Sequence, residues 1–407
     1  MDDRCTHPVY SSTVTSTDTP PSTSLDQQVL IEGGGDQYGD DEYGASLTRD
    51  TILPASVLLA SVVGHHSIDA PCHPSQASQI PTLLHENPVQ VLQDGQSLLE
   101  LGLTHLQNQC YSDALAALDR ALSCYTLVDA RDGQAKVLSL ITWATYSNGD
   151  YQNSIILGQR TLVLANELDQ HAIAIEVLGT IGNAYRHLGN TDRASHFQHE
   201  SLALAQKIGD HRGSMAALNN LGLVFKATQD YAQAIFYEKQ ALVLARSLHD
   251  QSVEAQVLKN LGNAYYAIGE SETAIDYYKE RLVLVRSMEN PRLEIQVLKH
   301  LSIASYSIGK PTEAIDYTRD RLNLSRALKD VVGEEQALRS MAIFHESLGQ
   351  SYEAVEVHQC RLIVARVLGN ASLFLEVQAD LKRLFCNLGA FDLAHLVSQE
   401  SLIWGEG

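Results

Sequence analysis

Residues 258–282 read LKNLGNAYYAIGESETAIDYYKERL, and from Leu101 onward the chain returns to this pattern every 40 residues without insertion or deletion. One leucine shows the step best: Leu122, Leu162, Leu202, Leu242, Leu282, Leu322, Leu362 and Leu402. A small residue stands eight positions earlier in each period: Ala114, Ser154, Ala194, Ala234, Ala274, Ala314, Ala354 and Ala394. A second leucine column runs Leu98, Leu138, Leu178, Leu218, Leu258, Leu298 and Leu338. Gly149, Gly189, Gly269, Gly309, Gly349 and Gly389 share a further position, with Gln109 and Gln229 in the same place. Self-similarity at one fixed period marks a stack of small structural units, and it decides the fold before any local reading does.

Each period reads as two helices. In Leu293–Ile308 the apolar residues Leu298, Leu301, Ile303 and Ala304 fall on one helical face. Ala314, Ile315, Leu322 and Leu324 do the same in Lys310–Leu328. Gly309 suits the left-handed turn that ends the first helix, and Pro311 suits the first turn of the second. Asp210, Asp250, Asn290, Asp330 and Asn370 precede successive first helices, where a short polar side chain can cap free backbone N–H groups. Neither helix can bury its face alone, so stability comes from stacking neighbours.

Composition narrows the function. The chain has 407 residues and a net charge of -20, with 49 acidic side chains against 29 Lys and Arg. That balance argues against nucleic acid, whose binding needs Lys and Arg to neutralise phosphates. It also disfavours adsorption to anionic membranes. Residues 1–86 hold 12 acidic and 2 basic residues, a net of 2 - 12 = -10, with the Ser/Thr/Pro run Thr6–Ser24 and the acidic stretch Asp36–Tyr43. Such a segment buries too little apolar surface to offset its ordering entropy and reads as a disordered leader, leaving 87–407 as the repeat domain. The apolar run Ile52–Val63 has 12 residues, short of the about 20 that cross a bilayer. No secretory signal follows Met1, and the six cysteines include no CxxC, which together suggest a reducing, cytoplasmic setting.

The columns resemble the tetratricopeptide repeat. Its pattern appears here as Leu258, Leu261-Gly262, Tyr265, Gly269, Ser271, Ala274 and Tyr278, with Arg281 where the motif asks for Ala. Arg321 and Arg361 make the same departure, and the 40-residue step exceeds the usual period of about 34. The Asn260-Leu261-Gly262-Asn263-Ala264-Tyr265 run and the Arg-Leu pairs are similar to the extended repeats of LGN/Pins-type adaptors and many bacterial arrays. Trp143, Asn148 and Lys382 break the pattern in the first, second and last repeats. The resemblance implies an all-α, right-handed superhelical solenoid of about eight repeats. It also implies a concave groove lined by the first helix of each pair.

Carried over residue by residue, that groove would present Asn183, Arg186, Asn219, Asn220, Lys226, Lys259, Asn260, Asn263, Tyr266, Lys299, His300, Tyr306 and Arg339. Side-chain amides donate and accept at once, so an Asn ladder could hold a peptide backbone. Lys259, Lys299 and Arg339 make a positive strip suited to an acidic segment, and Tyr266 and Tyr306 add flat contact area. A chaperone-tail carboxylate clamp is incomplete: Lys259 and Asn263 fit it, whereas His300, Gln336 and Ser340 depart.

No catalytic constellation is present. There is no phosphate loop with its Lys and no GxSxG elbow, and no cofactor is implied. His65, His66, Cys72 and His73 lie in the leader, and His196, His199 and Glu200 share one helix. A solvated helix face explains the second set as well as a metal does, and structural zinc wants about four converging ligands. The expectation is a non-enzymatic adaptor, scaffold or assembly factor that binds an extended or acidic peptide. The alternative is a sensor whose groove is gated by its own leader or a signalling peptide. Self-association through the last repeat, which ends near Trp404, is a further expectation.

Overall fold

The computed structural model describes residues 87–404, and every regular element among them is an α-helix. In order they are α1 Pro88–Gln107, α2 Tyr111–Leu127, α3 Arg131–Ser147, α4 Tyr151–Glu167, α5 His171–His187, α6 Thr191–Ile208, α7 His211–Ala227 and α8 Tyr231–Ser247. Then follow α9 Gln251–Ala267, α10 Ser271–Ser287, α11 Pro291–Ser307, α12 Pro311–Ala327, α13 Val331–Ser347, α14 Ser351–Val367, α15 Ala371–Asn387 and α16 Phe391–Trp404. They pair as eight helix-turn-helix units, each packed on its neighbours in sequence, in an all-α solenoid. The first helices α3, α5, α7 and α9 also touch one another directly, so they form a layer of their own. The expected leader, Asp36–Tyr43, Ile52–Val63 and the His65–His73 group lie outside the described residues.

The turns explain why almost every helix has 17 residues. Gly149 takes φ +86°; its N–H bonds the Tyr146 carbonyl at 2.9 Å and the Asp150 N–H bonds Thr145 at 3.1 Å. This closes the orphan carbonyls of α3 in one left-handed turn. The same turn returns at Gly189, Gly269, Gly309, Gly349 and Gly389, and Gln109 and Gln229 adopt it too, at φ 58° and 60°. A second left-handed position joins successive units at Asp129, Asp169, Gly209, His249, Glu289, Lys329 and Gly369. Sequence reading missed it because most of its occupants are not glycine.

The expected caps form. Asp210, Asp250, Asn290, Asp330 and Asn370 each accept a bond from the backbone N–H three residues on, at 2.9–3.1 Å. Asp150, Asn190 and Asp230 do the same for the second helices α4, α6 and α8. Leu258, Leu261, Leu298 and Leu301 are buried, and the buried alanines Ala274 and Ala314 let paired helices approach. A further register links one unit to the next: Arg246, Arg286 and Arg326 meet Glu254, Glu294 and Glu334 at 3.0, 2.6 and 2.7 Å. These arginines are half in water, so each pair contributes roughly 0–1 kcal/mol and mainly fixes orientation. No described helix is long and apolar enough to cross a membrane.

Candidate ligand-binding face

The first helices α5, α7, α9, α11 and α13 carry the thirteen residues expected to meet a ligand. The structure divides them. Arg186, Lys226, Lys259, Asn263, Tyr266, Lys299, His300, Tyr306 and Arg339 are half-buried, although the Arg186 Nε and the His300 Nδ1 are themselves buried. Lys259, Lys299 and Arg339 occupy the same place on three successive units, one cation per repeat. Tyr306 packs on Phe344 with ring centroids 4.8 Å apart, and the Arg186 Nη2 meets His187 at 3.0 Å.

Asn183, Asn219, Asn220 and Asn260 are different: they are 3%, 6%, 2% and 4% exposed. Their placement on a solvent-facing ladder is corrected to the interior, where second-helix side chains engage Asn183, Asn220 and Asn260, and Asn260 engages Asn219. Gln198 on α6 donates to the Gly179 carbonyl at 2.8 Å and to Asn183 Oδ1 at 3.2 Å, and accepts from Asn220 Nδ2 at 3.3 Å. One repeat on, Asn260 Nδ2 donates to Glu238 Oε1 at 2.8 Å and Asn219 Oδ1 at 3.2 Å. Gln256 donates to Asn260 Oδ1 at 3.2 Å. A buried amide without partners is costly, so these asparagines recur because each satisfies a polar partner on a helix packed against its own.

Those partners form a column that sequence reading noticed only at Tyr278. Gln198, Glu238, Tyr278, Thr318 and His358 are all buried, one per unit at the 40-residue step. The glycine opposite makes room: a Cβ on Gly262 would stand 2.3 Å from the Tyr278 ring, and one on Gly222 would stand 2.6 Å from Glu238. Tyr278 gives its hydroxyl proton to Asn263 Oδ1 at 2.7 Å and stacks on His300 at 5.1 Å. Burial holds the Glu238 carboxyl well above the usual carboxylate range; the Asn260 bond and then Lys226 and Lys259 pull it back only in part.

Three residues further along each second helix lies another buried column: Thr161, Ser201, Ala241, Arg281, Arg321 and Arg361. The change from small to arginine falls between the fourth and fifth units. Burial pushes Arg281 and Arg321 down to about 10, Tyr278 partly restoring the first and Asp330 and Glu335 the second. Both remain cations at neutral pH. Burial also pushes His300 well down, followed by the charges of Arg281, Lys299, Lys259 and Arg321. The fifth and sixth units therefore each hold a buried guanidinium whose charge reaches His300.

Among the described residues no group of three or more His, Cys, Asp or Glu is placed to hold a metal ion. His199 bonds Ser195 through one ring nitrogen and the Tyr237 hydroxyl through the other, while His196 lies 3.5 Å from Glu200.

Two tetratricopeptide-repeat family profiles match the chain, at residues 172–247 and 257–292. No curated protein matches its sequence. Among solved structures, a signal transduction ATPase with numerous domains from Pyrococcus horikoshii, bearing a tetratricopeptide repeat sensor, aligns with a TM-score of 0.58 at 16% identity. That alignment covers 78% of this chain and 50% of that one, so the chain spans half that protein's length. BtubC from P. vanneervenii aligns at 0.48 with 17% identity, over 59% of this chain and 92% of that one. The apo quorum sensor NprR from B. thuringiensis aligns at 0.44 with 14% identity, over 78% and 92%. Identities this low speak to fold alone.

Proposed function

We propose that this chain, which is a tetratricopeptide-repeat protein, works without catalysis as an adaptor or assembly factor that holds an extended, acidic segment of a partner along its first-helix face. The observation behind this reading is the row Lys259, Lys299 and Arg339, one half-buried cation per repeat at the same place on α9, α11 and α13. Partner carboxylates spaced along an extended chain would meet successive cations. Tyr266 and Tyr306 on the same helices would supply flat amphipathic area. The half-buried position favours the pairing, because charges at a rim exposed to water gain little.

Charge reversal tests it. The full chain carrying Lys259→Glu, Lys299→Glu and Arg339→Glu is compared with Lys279→Glu on the exposed side of α10 as control. The reading predicts that the triple variant loses partners recovered by wild type and the control. Recovery of the same partners at the same yield by the triple variant would contradict it.

A regulatory reading draws support from the fold shared with a repeat array described as a sensor. A scaffold binds constitutively; a sensor changes affinity when a signalling peptide is added, and titration separates the two. Exposed Phe391, Leu393 and Leu396 on α16 are the surface on which self-association would rest, and light scattering on the full chain and on Phe391→Ser measures it.

A further inference from the structure

We propose that Arg281 and Arg321 form a carboxylate-binding subsite beneath the first helices of the fifth to seventh units, taking an acidic group of the extended segment. This rests on the reading of that face as a peptide site.

Arg361, Arg321 and Arg281 occupy equivalent positions at the 40-residue step and are 2%, 3% and 1% exposed. Arg361 is satisfied: Glu335, Glu376 and Asp380 surround it at 2.8, 3.4 and 3.8 Å. Shifting those three acids back by one period gives Ile295, Gln336 and Ser340 for Arg321. Shifting by two gives Ala255, Gln296 and His300 for Arg281. The guanidinium groups remain while the acids equivalent to those around Arg361 are gone; the charges of Asp330 and Glu335 still reach Arg321, but neither acid bonds it.

The hydrogen bonds agree. Arg321 spends its Nη2 on Gln336 at 2.8 Å, but its Nε is buried without a partner. Arg281 has both Nε and Nη1 buried without partners, and the Nδ1 of neighbouring His300 is in the same state. Two buried cations in adjacent units, each with idle donors, are destabilising unless an anion completes them. A guanidinium offers a planar fork that a carboxylate matches with two parallel bonds. Donors this deep suit a side chain or chain terminus projecting from an extended segment, not a folded surface.

Calorimetry on the full chain tests the subsite, using two probes. One is an acetylated, amidated hexaglutamate, whose carboxylates are all side chains; the other is hexaglutamine with a free carboxy-terminus. Wild type should bind at least one, which names the source of the carboxylate. The Arg281→Met, Arg321→Met double variant should lose about tenfold or more in affinity. Its own melting temperature should hold or rise, because unpaired buried charge has been removed. A lower melting temperature in both single variants would show that the guanidinium groups are already satisfied, and would overturn the proposal. So would equal affinity of wild type and double variant, or inorganic phosphate displacing the peptide at equal concentration. If Lys259→Met with Lys299→Met abolishes binding while the arginine variants keep it, the face is a peptide site and the subsite is wrong. Binding of neither probe by wild type also overturns the subsite, and the wider reading is then judged by partner recovery with the charge-reversal variant.

Discussion

Asn260→Ala separates an internal role for the asparagine columns from direct contact with a ligand. The Asn260 amide donates to Glu238 Oε1 at 2.8 Å and to Asn219 Oδ1 at 3.2 Å, and accepts from Gln256 at 3.2 Å. All four side chains are buried. Truncation removes three bonds with a net worth of about 1 kcal/mol each and leaves buried partners unsatisfied, each costing about 1–3 kcal/mol. Glu238 suffers most, because its Oε2 already lacks a partner. Against this, alanine is the better helix former by roughly 0.5–0.7 kcal/mol. The expected loss is about 2–4 kcal/mol. Losing the bond that pulls the Glu238 carboxyl down also lets it take up a proton more readily, so the loss should shrink on acidification. Urea unfolding followed by circular dichroism at neutral and mildly acidic pH measures the total. Hydrogen exchange in α8 and α9 locates it, since repeat arrays can open unit by unit. An unchanged urea midpoint with weakened partner binding would refute this account and restore Asn260 to the ligand.

Glu238→Gln should stabilise the chain at neutral pH and flatten its pH dependence. The folded carboxyl titrates above its ordinary value of 4.5, so wild-type stability is greatest below that value and falls as pH rises toward the folded pKa. A variant advantage that persists unchanged at pH 4 would contradict the sign. Gln229→Gly relieves a left-handed residue at φ 60° and should add about 0.5–1 kcal/mol to unfolding, read by thermal melting. Gly262→Ala forces the Tyr278 ring away from a Cβ 2.3 Å distant, at a cost of about 1–3 kcal/mol. Near-ultraviolet dichroism should report the loss of the Tyr278–His300 stack.

The fold was open to reading because the physics that sets it is local and repeats. Gly309 and Pro311 mark a turn, Asp250 and Asn290 mark caps, and Leu258 and Leu298 mark a buried face, each returning at 40 residues. The ligand-facing surface was less open. A polar residue at helical spacing is the same letter whether it meets water or a buried partner. Asn260 and Lys259 are neighbours in sequence, yet one is engaged by Glu238 and the other reaches the surface. Only the position of the second helix decides between them. The Arg281, Arg321 and Arg361 series did announce itself, as charge in a column that otherwise holds small residues. What could not be read was that the acids around Arg361 have no counterpart one and two repeats earlier, because those acids come from two other helices.

The most direct test of the central claim is hydrogen exchange of the full chain with and without a partner bound to it. The account predicts added protection centred on α9, α11 and α13, the helices that carry Lys259, Lys299 and Arg339. Protection confined instead to α8, α10 and α14, where Val243, Val283 and Ile363 face water, would contradict it.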